Sequence, residues 1–355
     1  MASARPAGGD ARSSFQQQFQ QRWPQLRDPH VRALAWLLDA PDLMAPDAAC
    51  WEGRIATLGP VSESVAAWLD RLQDDPQLKA SLHAHMARQP TARLGRYAEQ
   101  LLGFYLEQHG QLVAANLQVR NNGATRETLG EFDFLVKRPD AASAAGLEHW
   151  EFATKFYLLE PKPASGEDKD EAAPDADAFL GPNLADSLGR KMRKIMQQQL
   201  MLSQHPAAGA VLPEPVASAQ ALVKGWLFYR DDAADAASEA AARRAGIAAA
   251  HCRGFWCDAE QLRQRAFPEP VSFVPMPRLE WLAPLRASSQ RGLSMDGLLA
   301  ALRERFAAEE APVMVAVCRA LEGAGEVVEI ERGFIVPAGW QQRAAETHRH
   351  AVLKA

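Results

Sequence analysis

Long apolar runs are absent. Nowhere do eighteen hydrophobic residues follow one another without interruption, so no α-helical membrane span is expected. Cysteine is scarce as well: Cys50, Cys252, Cys257 and Cys318 do not describe a disulfide scaffold. His251, Cys252 and Cys257 lie close together, but the second ligand pair that a structural zinc site needs is missing, and buried thiols are the preferred reading. No Gly-x-x-x-x-Gly-Lys-Ser/Thr loop, Gly-x-Ser-x-Gly elbow or His-Glu-x-x-His pattern occurs, which removes the common nucleotide-phosphate, serine-hydrolase and zincin chemistries. Basic excess is also lacking. With 39 Lys and Arg against 44 Asp and Glu the net charge is −5, whereas proteins held to nucleic acid by phosphate contacts alone are usually basic. The acidity is concentrated in Gly166–Asp177 and Asp231–Glu239, which leaves room for a local basic groove. The first ten residues have no apolar core and read as part of a disordered tail over 1–14, not as a secretory signal. The cytoplasm is the expected compartment.

What is present is an ordinary globular composition, 47% hydrophobic and 23% charged. Residues 15–90 read as helical. Val31–Leu38 carries a broad apolar face stopped by Pro41, and Val61–Leu72 and Leu78–Met86 repeat the period. Thr91–His109 is a further helix, ended by Gly110. The period then shortens. Leu112–Arg120, Gly130–Lys137 and His149–Leu159 are predicted strands. In the second of these, Phe132, Phe134 and Val136 fall on one side and Glu131, Asp133 and Leu135 on the other. An acidic excursion over 161–178 leads to a helix capped by Asn183 or Asp186 and running to about Ser203; Ala221–Tyr229 is another strand. Helices are predicted at 258–265, 294–306 and 313–321, and a hairpin over Glu326–Val336 turning at Arg332-Gly333. A winged-helix arrangement of these last pieces is open, and a plain structural subdomain is preferred. Trp150, Trp226, Trp256 and Trp281 are assigned to the core. The expected class is α/β: a mixed central sheet flanked by helices over 91–230, behind a helical N-terminal region at 15–90. An α+β extension over 231–340 and a tail at 341–355 follow.

Three pieces arrive in an informative order: Arg93-Leu-Gly-Arg-Tyr-Ala-Glu99 on a helix, Gly130-Glu-Phe-Asp133 on a strand, and Trp150-Glu-Phe-Ala-Thr-Lys155 on the next strand. Over about 93–230 the chain resembles the PD-(D/E)XK, restriction-endonuclease-like superfamily. The Gly-x-x-Ala-Glu helix, Asn116 and the Gly-Glu-x-Asp strand look most like Holliday-junction-resolvase-type members, whose following strand carries Glu-x-Lys. Nearly the whole chain is similar to domain-of-unknown-function family 1853, through Arg32-Ala-Leu-Ala-Trp36, Lys155-Phe-Tyr157, Gly181-Pro-Asn183 and Gly225-Trp-Leu-Phe-Tyr229. The first resemblance implies a restriction-endonuclease-like core and a Mg²⁺- or Mn²⁺-dependent nuclease acting on DNA, with branched or damaged forms as candidate substrates. It implies Asp133, Glu151 and Glu99 as metal ligands, and Lys155 as the group that stabilises the attacking hydroxide or the phosphate.

The residues support that chemistry independently. Phosphodiester hydrolysis needs a cation to neutralise developing charge, and magnesium is held by few carboxylates because it keeps several waters. Strand alternation places Glu151, Ala153 and Lys155 on one face, and Gly95 and Gly103 leave the helix uncrowded around Glu99. One departure stands out. The family pattern puts an acid two residues before the lysine, where this chain has Ala153, and Glu151 lies roughly 7 Å further along the strand. A bulge there, or Glu131, is the available compensation; a catalytically inactive relative that binds nucleic acid or a protein partner is the alternative. For Asp133 and Lys155, a structural ion pair is the competing assignment. Arg190, Lys191, Arg193, Lys194 and Gln198, on the helix after the lysine strand, are expected to contact phosphates, with Arg93, Arg96, Arg120 and Arg126 extending a basic rim. DNA is the expected partner, no membrane is expected, and homodimerisation is left open.

Overall fold

The structure is a computed structural model describing residues 14–121, 127–137, 146–160, 176–230, 242–267 and 270–352. Most of the two acidic stretches, the expected tail over 1–13 and Arg126 lie outside the described residues.

The chain enters through helices begun by side-chain caps. Ser14 and Gln17 form a reciprocal box at α1 (Phe15–Arg22), and Asp28 caps α2 (Pro29–Asp39), whose first position is a proline with no N–H to lose. Ser62 and Asp75 cap α3 (Glu63–Asp74) and α4 (Pro76–Ala87). The stretch between α2 and α3 departs from the helical expectation for 15–90. It is broken by Pro41, Pro46, Gly53, Gly59 and Pro60, and its backbone bonds a sheet edge instead, from Leu43 N to Val223 O and from Ala56 N to Ala221 O. Next comes α5 (Leu94–Gln108), released by Gly110 at a φ of 65°.

The remainder builds one ten-stranded mixed sheet. Its strands are β1 (Leu112–Arg120), β2 (Thr128–Val136), β3 (Leu147–Leu159), β4 (Phe179–Leu180), β5 (Val216–Tyr229), β6 (Cys252–Asp258), β7 (Ser272–Pro275), β8 (Arg286–Ser288), β9 (Val313–Leu321) and β10 (Glu326–Val336). The main order is β1-β2-β3-β5-β6-β10-β9-β7, with β4 beside β3 and β8 beside β10. β3, β5, β6 and β10 run parallel to their neighbours in that series, and antiparallel pairs close both ends. The sheet therefore passes without interruption across position 230, where the expected core ended.

Helices cover both faces, which is why the central strands read as near-continuous apolar runs. Trp150, Phe152, Phe156 and Leu158 of β3, with Leu222, Trp226 and Phe228 of β5, pack towards α2 and α5. The intervening Ala153, Tyr157 and Leu159, with Ala221, Val223 and Leu227, pack towards α6 (Leu188–Lys194). Further along the sheet, Leu262 of α7 (Ala259–Gln264) and Leu298 and Leu302 of α8 (Met295–Ala308) cover β6, β9 and β10. The four assigned tryptophans are indeed core or against it.

The last third corrects two expectations. Residues 313–321 form strand β9, not a helix; six consecutive buried residues, Val313 to Cys318, give no face-specific period to read. The hairpin is β9–β10, closed through Gly323 and Gly325 at φ of 71° and 61°, and Arg332-Gly333 is interior strand. Arg332 is fully buried, held by two bonds to Glu329 and by the carbonyls of Trp281 and Ala283. The winged-helix arrangement therefore does not occur. Nor is 341–355 a tail: Trp340–Val352 is a helix, α9, anchored by the buried Trp340, which donates to Pro182 O, and by Ala344 and His348. Three of the thiols are buried as expected and Cys50 is exposed; Cys252 and Cys257 enter different apolar clusters, which rules out their joining one ligand set. Among the described residues no helix is long and apolar enough to cross a membrane.

Candidate functional site

β2 and β3 pair only from Val136↔Glu148 to Phe134↔Trp150. The next residues in that register would be Asp133 and Glu151, and there the ladder stops. In place of a backbone acceptor, the Asp133 carboxylate takes the Phe152 N–H at 2.9 Å. Opposite, on β1, Asn116 sits at a φ of 55° and makes no ladder pair, although the β1–β2 register is the same on either side of it. A left-handed residue in mid-strand twists the ladder locally, as a bulge does. The consequence is visible in the side chains. Phe132 joins Leu135, Leu147 and Leu202 in one cluster, while Phe134 and Val136 face α5. The expected simple alternation of β2 thus breaks at Asp133.

Glu151 lies at this break, 2% exposed. It faces α6 together with Ala153 and Tyr157, as strand alternation required. Gln199 donates to its Oε1, and Lys191 Nζ stands 3.7 Å from the same oxygen. Ser187, not Asn183 or Asp186, caps α6, and the helix then widens into a single π turn, Ile195–Gln199, which delivers the Gln199 amide back to Glu151. Lys191 also donates to Gln199 Oε1 at 3.0 Å, so the two residues brace one another. The second Glu151 oxygen, Oε2, is buried and meets no donor. The Asp133 carboxyl is close enough for its charge to raise the proton affinity of Glu151.

Glu99 approaches from α5, on the other face of the sheet. The helix packs close to β3 here: a Cβ at Gly95 would make ordinary contact with Thr154 Oγ1, at 3.9 Å. Arg96 donates to Glu99 Oε1 at 2.6 Å and to Asn116 Oδ1, and lies 3.9 Å from Glu131. Beside this group, a cavity of about 190 Å³ is lined by Arg88, Arg96, Glu99 and Asn116. A second, of about 430 Å³, is lined by Thr91, Arg93, Arg96 and Glu131.

Burial and mutual repulsion raise the proton affinity of all three acids. Burial, then the charge of Asp133, pushes Glu99 up to about 7, against the pull of Arg96. Glu151 is pushed up to about 8 by burial and then by Asp133, with Lys191 opposing. Asp133 is raised by burial, offset by the Phe152 N–H and Lys191. Lys191 is shifted the other way: burial lowers it, and the Lys155 charge adds to the effect. Acids with raised proton affinity, with one buried oxygen lacking a donor, thus gather where the β2–β3 ladder ends. Among the described residues no three His, Cys, Asp or Glu side chains are grouped to hold a metal ion. Asp133 and Glu151 are the two acids at the ladder break, and Glu99 lies near enough for its charge to act on Glu151.

The other expected residues are placed as follows. Lys155 shares the α6 face but directs its ammonium to Asp186 Oδ2 at 3.4 Å, and Tyr157 donates to the same oxygen at 3.1 Å. It does not pair with Asp133. Arg193 is held by two bonds to Asp177, and Arg190 donates to Ala185 O. Lys194 and Gln198 are exposed. Of that basic run only Lys191 turns into the acid centre. Its part there, and that of Gln199, went unread because a charge run has no face until the turn that follows it is known.

A family model described as Domain of unknown function (DUF1853) matches residues 32–336. The chain belongs to this family. No curated protein and no solved structure matches it. The DUF1853 match begins at Arg32 in α2 and ends at Val336, the last residue of β10, so it takes in the whole sheet and every acid of the centre.

Proposed function

We propose that this DUF1853 protein is a metal-dependent nuclease that hydrolyses DNA phosphodiester bonds at the Asp133–Glu151–Glu99 centre. The observation that carries the reading is the break in the β2–β3 ladder, which brings Asp133 and Glu151 together with a buried, donor-free oxygen. Magnesium or manganese there would supply a Lewis acid for the phosphoryl oxygen and make a bound water more acidic. Asp133 and Glu151 would hold it, each kept in place by a fixed donor, Phe152 N–H and the Gln199 amide. Glu99, locked by Arg96, orients the attacking water. That water's oxygen bonds to phosphorus, the ester P–O bond breaks, and the leaving oxygen takes the proton the water gives up. The choice of DNA, branched or damaged, rests on the resemblance to resolvase-type nucleases.

The catalytically inactive alternative, a binder of nucleic acid or of a protein partner, is favoured by one feature: Glu151 is already satisfied on one side by Lys191 and Gln199. A cleavage panel separates the two. Linear, nicked and four-way-junction DNA are incubated with Mg²⁺ or Mn²⁺ and parent or Asp133→Ala protein. Metal-dependent cutting by the parent alone supports the nuclease; binding without cutting by both proteins supports the alternative.

A further inference from the structure

Glu151 and Lys155 lie four residues apart on β3, about 13 Å at ~3.3 Å per residue. A phosphate held near Glu151 is therefore far from the Lys155 backbone, and the Lys155 ammonium is turned to Asp186 and lies 5.9 Å from the Tyr157 ring centre. Lys191 is the cation at the acids: 3.7 Å from Glu151 Oε1, braced by Gln199, and only partly exposed. Its position follows from Ala153. This residue is 6% exposed and joins Leu188, Met192 and Ile195 in one apolar cluster, so the side chain between the acid and the strand lysine serves as packing surface for α6. A longer, charged residue at 153 would prop the helix away.

Resting on the nuclease reading above, we propose that Lys191, not Lys155, is the catalytic lysine of this protein, donated by a helix to an acid set back along the strand. Its ammonium hydrogen-bonds the non-bridging phosphate oxygen as the water oxygen bonds to phosphorus and the ester oxygen leaves with the water's proton. Before substrate arrives it stands beside Glu151 Oε1, where a divalent cation must displace it. Ala153 is then a mark of relocated machinery, with catalysis retained.

The proposal is tested with Lys191→Met, Lys191→Arg, Lys155→Met and parent, by three readouts. Single-turnover cleavage of DNA in Mg²⁺ is expected to fall by about 10²–10³ in Lys191→Met, the usual loss of one transition-state donor, to recover in part in Lys191→Arg, and to fall far less in Lys155→Met. DNA binding in Ca²⁺ is expected to weaken in Lys191→Met, by far less than the loss in cleavage rate. Mn²⁺ binding without DNA, followed calorimetrically, is expected to tighten in Lys191→Met, because the competing ammonium is gone; a purely structural lysine gives unchanged or weaker metal binding. Lys191→Met that cuts like the parent, or Lys155→Met that alone abolishes cutting, overturns the lysine assignment and leaves the nuclease standing. A parent that binds Mn²⁺ and DNA yet cuts nothing overturns the nuclease reading and the lysine assignment with it.

Discussion

Burial makes Glu151 and His149 respond to pH in opposite directions. The Glu151 carboxyl is raised from 4.5 to about 8, so between those values the folded state holds a proton that the unfolded state has released. Its contribution to stability is complete below pH 4.5 and is lost as pH rises through 8. His149 is pushed down from 6.5 to about 4 by burial, with neither ring nitrogen partnered. In that window the unfolded state binds the extra proton, and stability is lost as pH falls. Thermal unfolding followed against pH is expected to show Glu151→Gln flattening the alkaline limb and His149→Leu flattening the acid limb; if each variant parallels the parent over its limb, these groups do not govern it. A different cost applies at Arg332. Replacing it with Met strands Glu329, which is wholly buried, and is expected to lower unfolding free energy by about 3–5 kcal/mol in urea melts. A loss below about 1 kcal/mol, the size of a surface pair, would contradict the burial described.

Among the elements, β3 and β5 are the pair on which the site is built, and their closeness depends on Gly225. It faces Lys155 in the parallel register, and a Cβ there would fall inside the van der Waals contact of the Lys155 carbonyl oxygen, which is backbone and unable to swing away. Gly225→Ala is expected to destabilise the protein by about 3 kcal/mol, read as a lower urea midpoint; an unchanged midpoint would show that the strands separate freely. The strands of this pair were legible in the sequence from their aromatic and β-branched runs, but β5 starts at Val216, five residues before the apolar run that marked it. The acids were legible too, since Asp133 and Glu151 interrupt those runs. What could not be read was local geometry set by distant partners. Asn116 adopts φ 55° opposite the point where the alternation of β2 changes, and the π turn at Ile195–Gln199 decides which of several adjacent basic and amide residues face inward. Arg332 looked like a turn residue because its counter-charge, Glu329, and its two carbonyl acceptors across the fold were invisible as a set.

At the scale of the molecule, the uninterrupted sheet sets the expectation. β5 bonds β6 and β6 bonds β10, so the strands after position 230 complete the layer begun by β1–β5. Trp226 of β5 donates to Leu282 O, and Trp256 of β6 donates to Leu159 O at the end of β3. A fragment ending at residue 230 would expose that whole edge, and unfolding of the intact chain is expected to be a single transition by fluorescence and circular dichroism alike. Two separated transitions would mean that the C-terminal strands fold as an independent unit.

Asp133 and Glu151 are proposed to form a divalent-cation centre for phosphodiester hydrolysis. Its most direct test is Mn²⁺ binding and single-turnover DNA cleavage measured on the same samples of parent and Asp133→Asn protein. The account predicts that the parent binds the ion and cuts, and that Asp133→Asn loses both together while staying folded. Cutting that survives in Asp133→Asn, or metal that binds with equal affinity to both proteins, would contradict it.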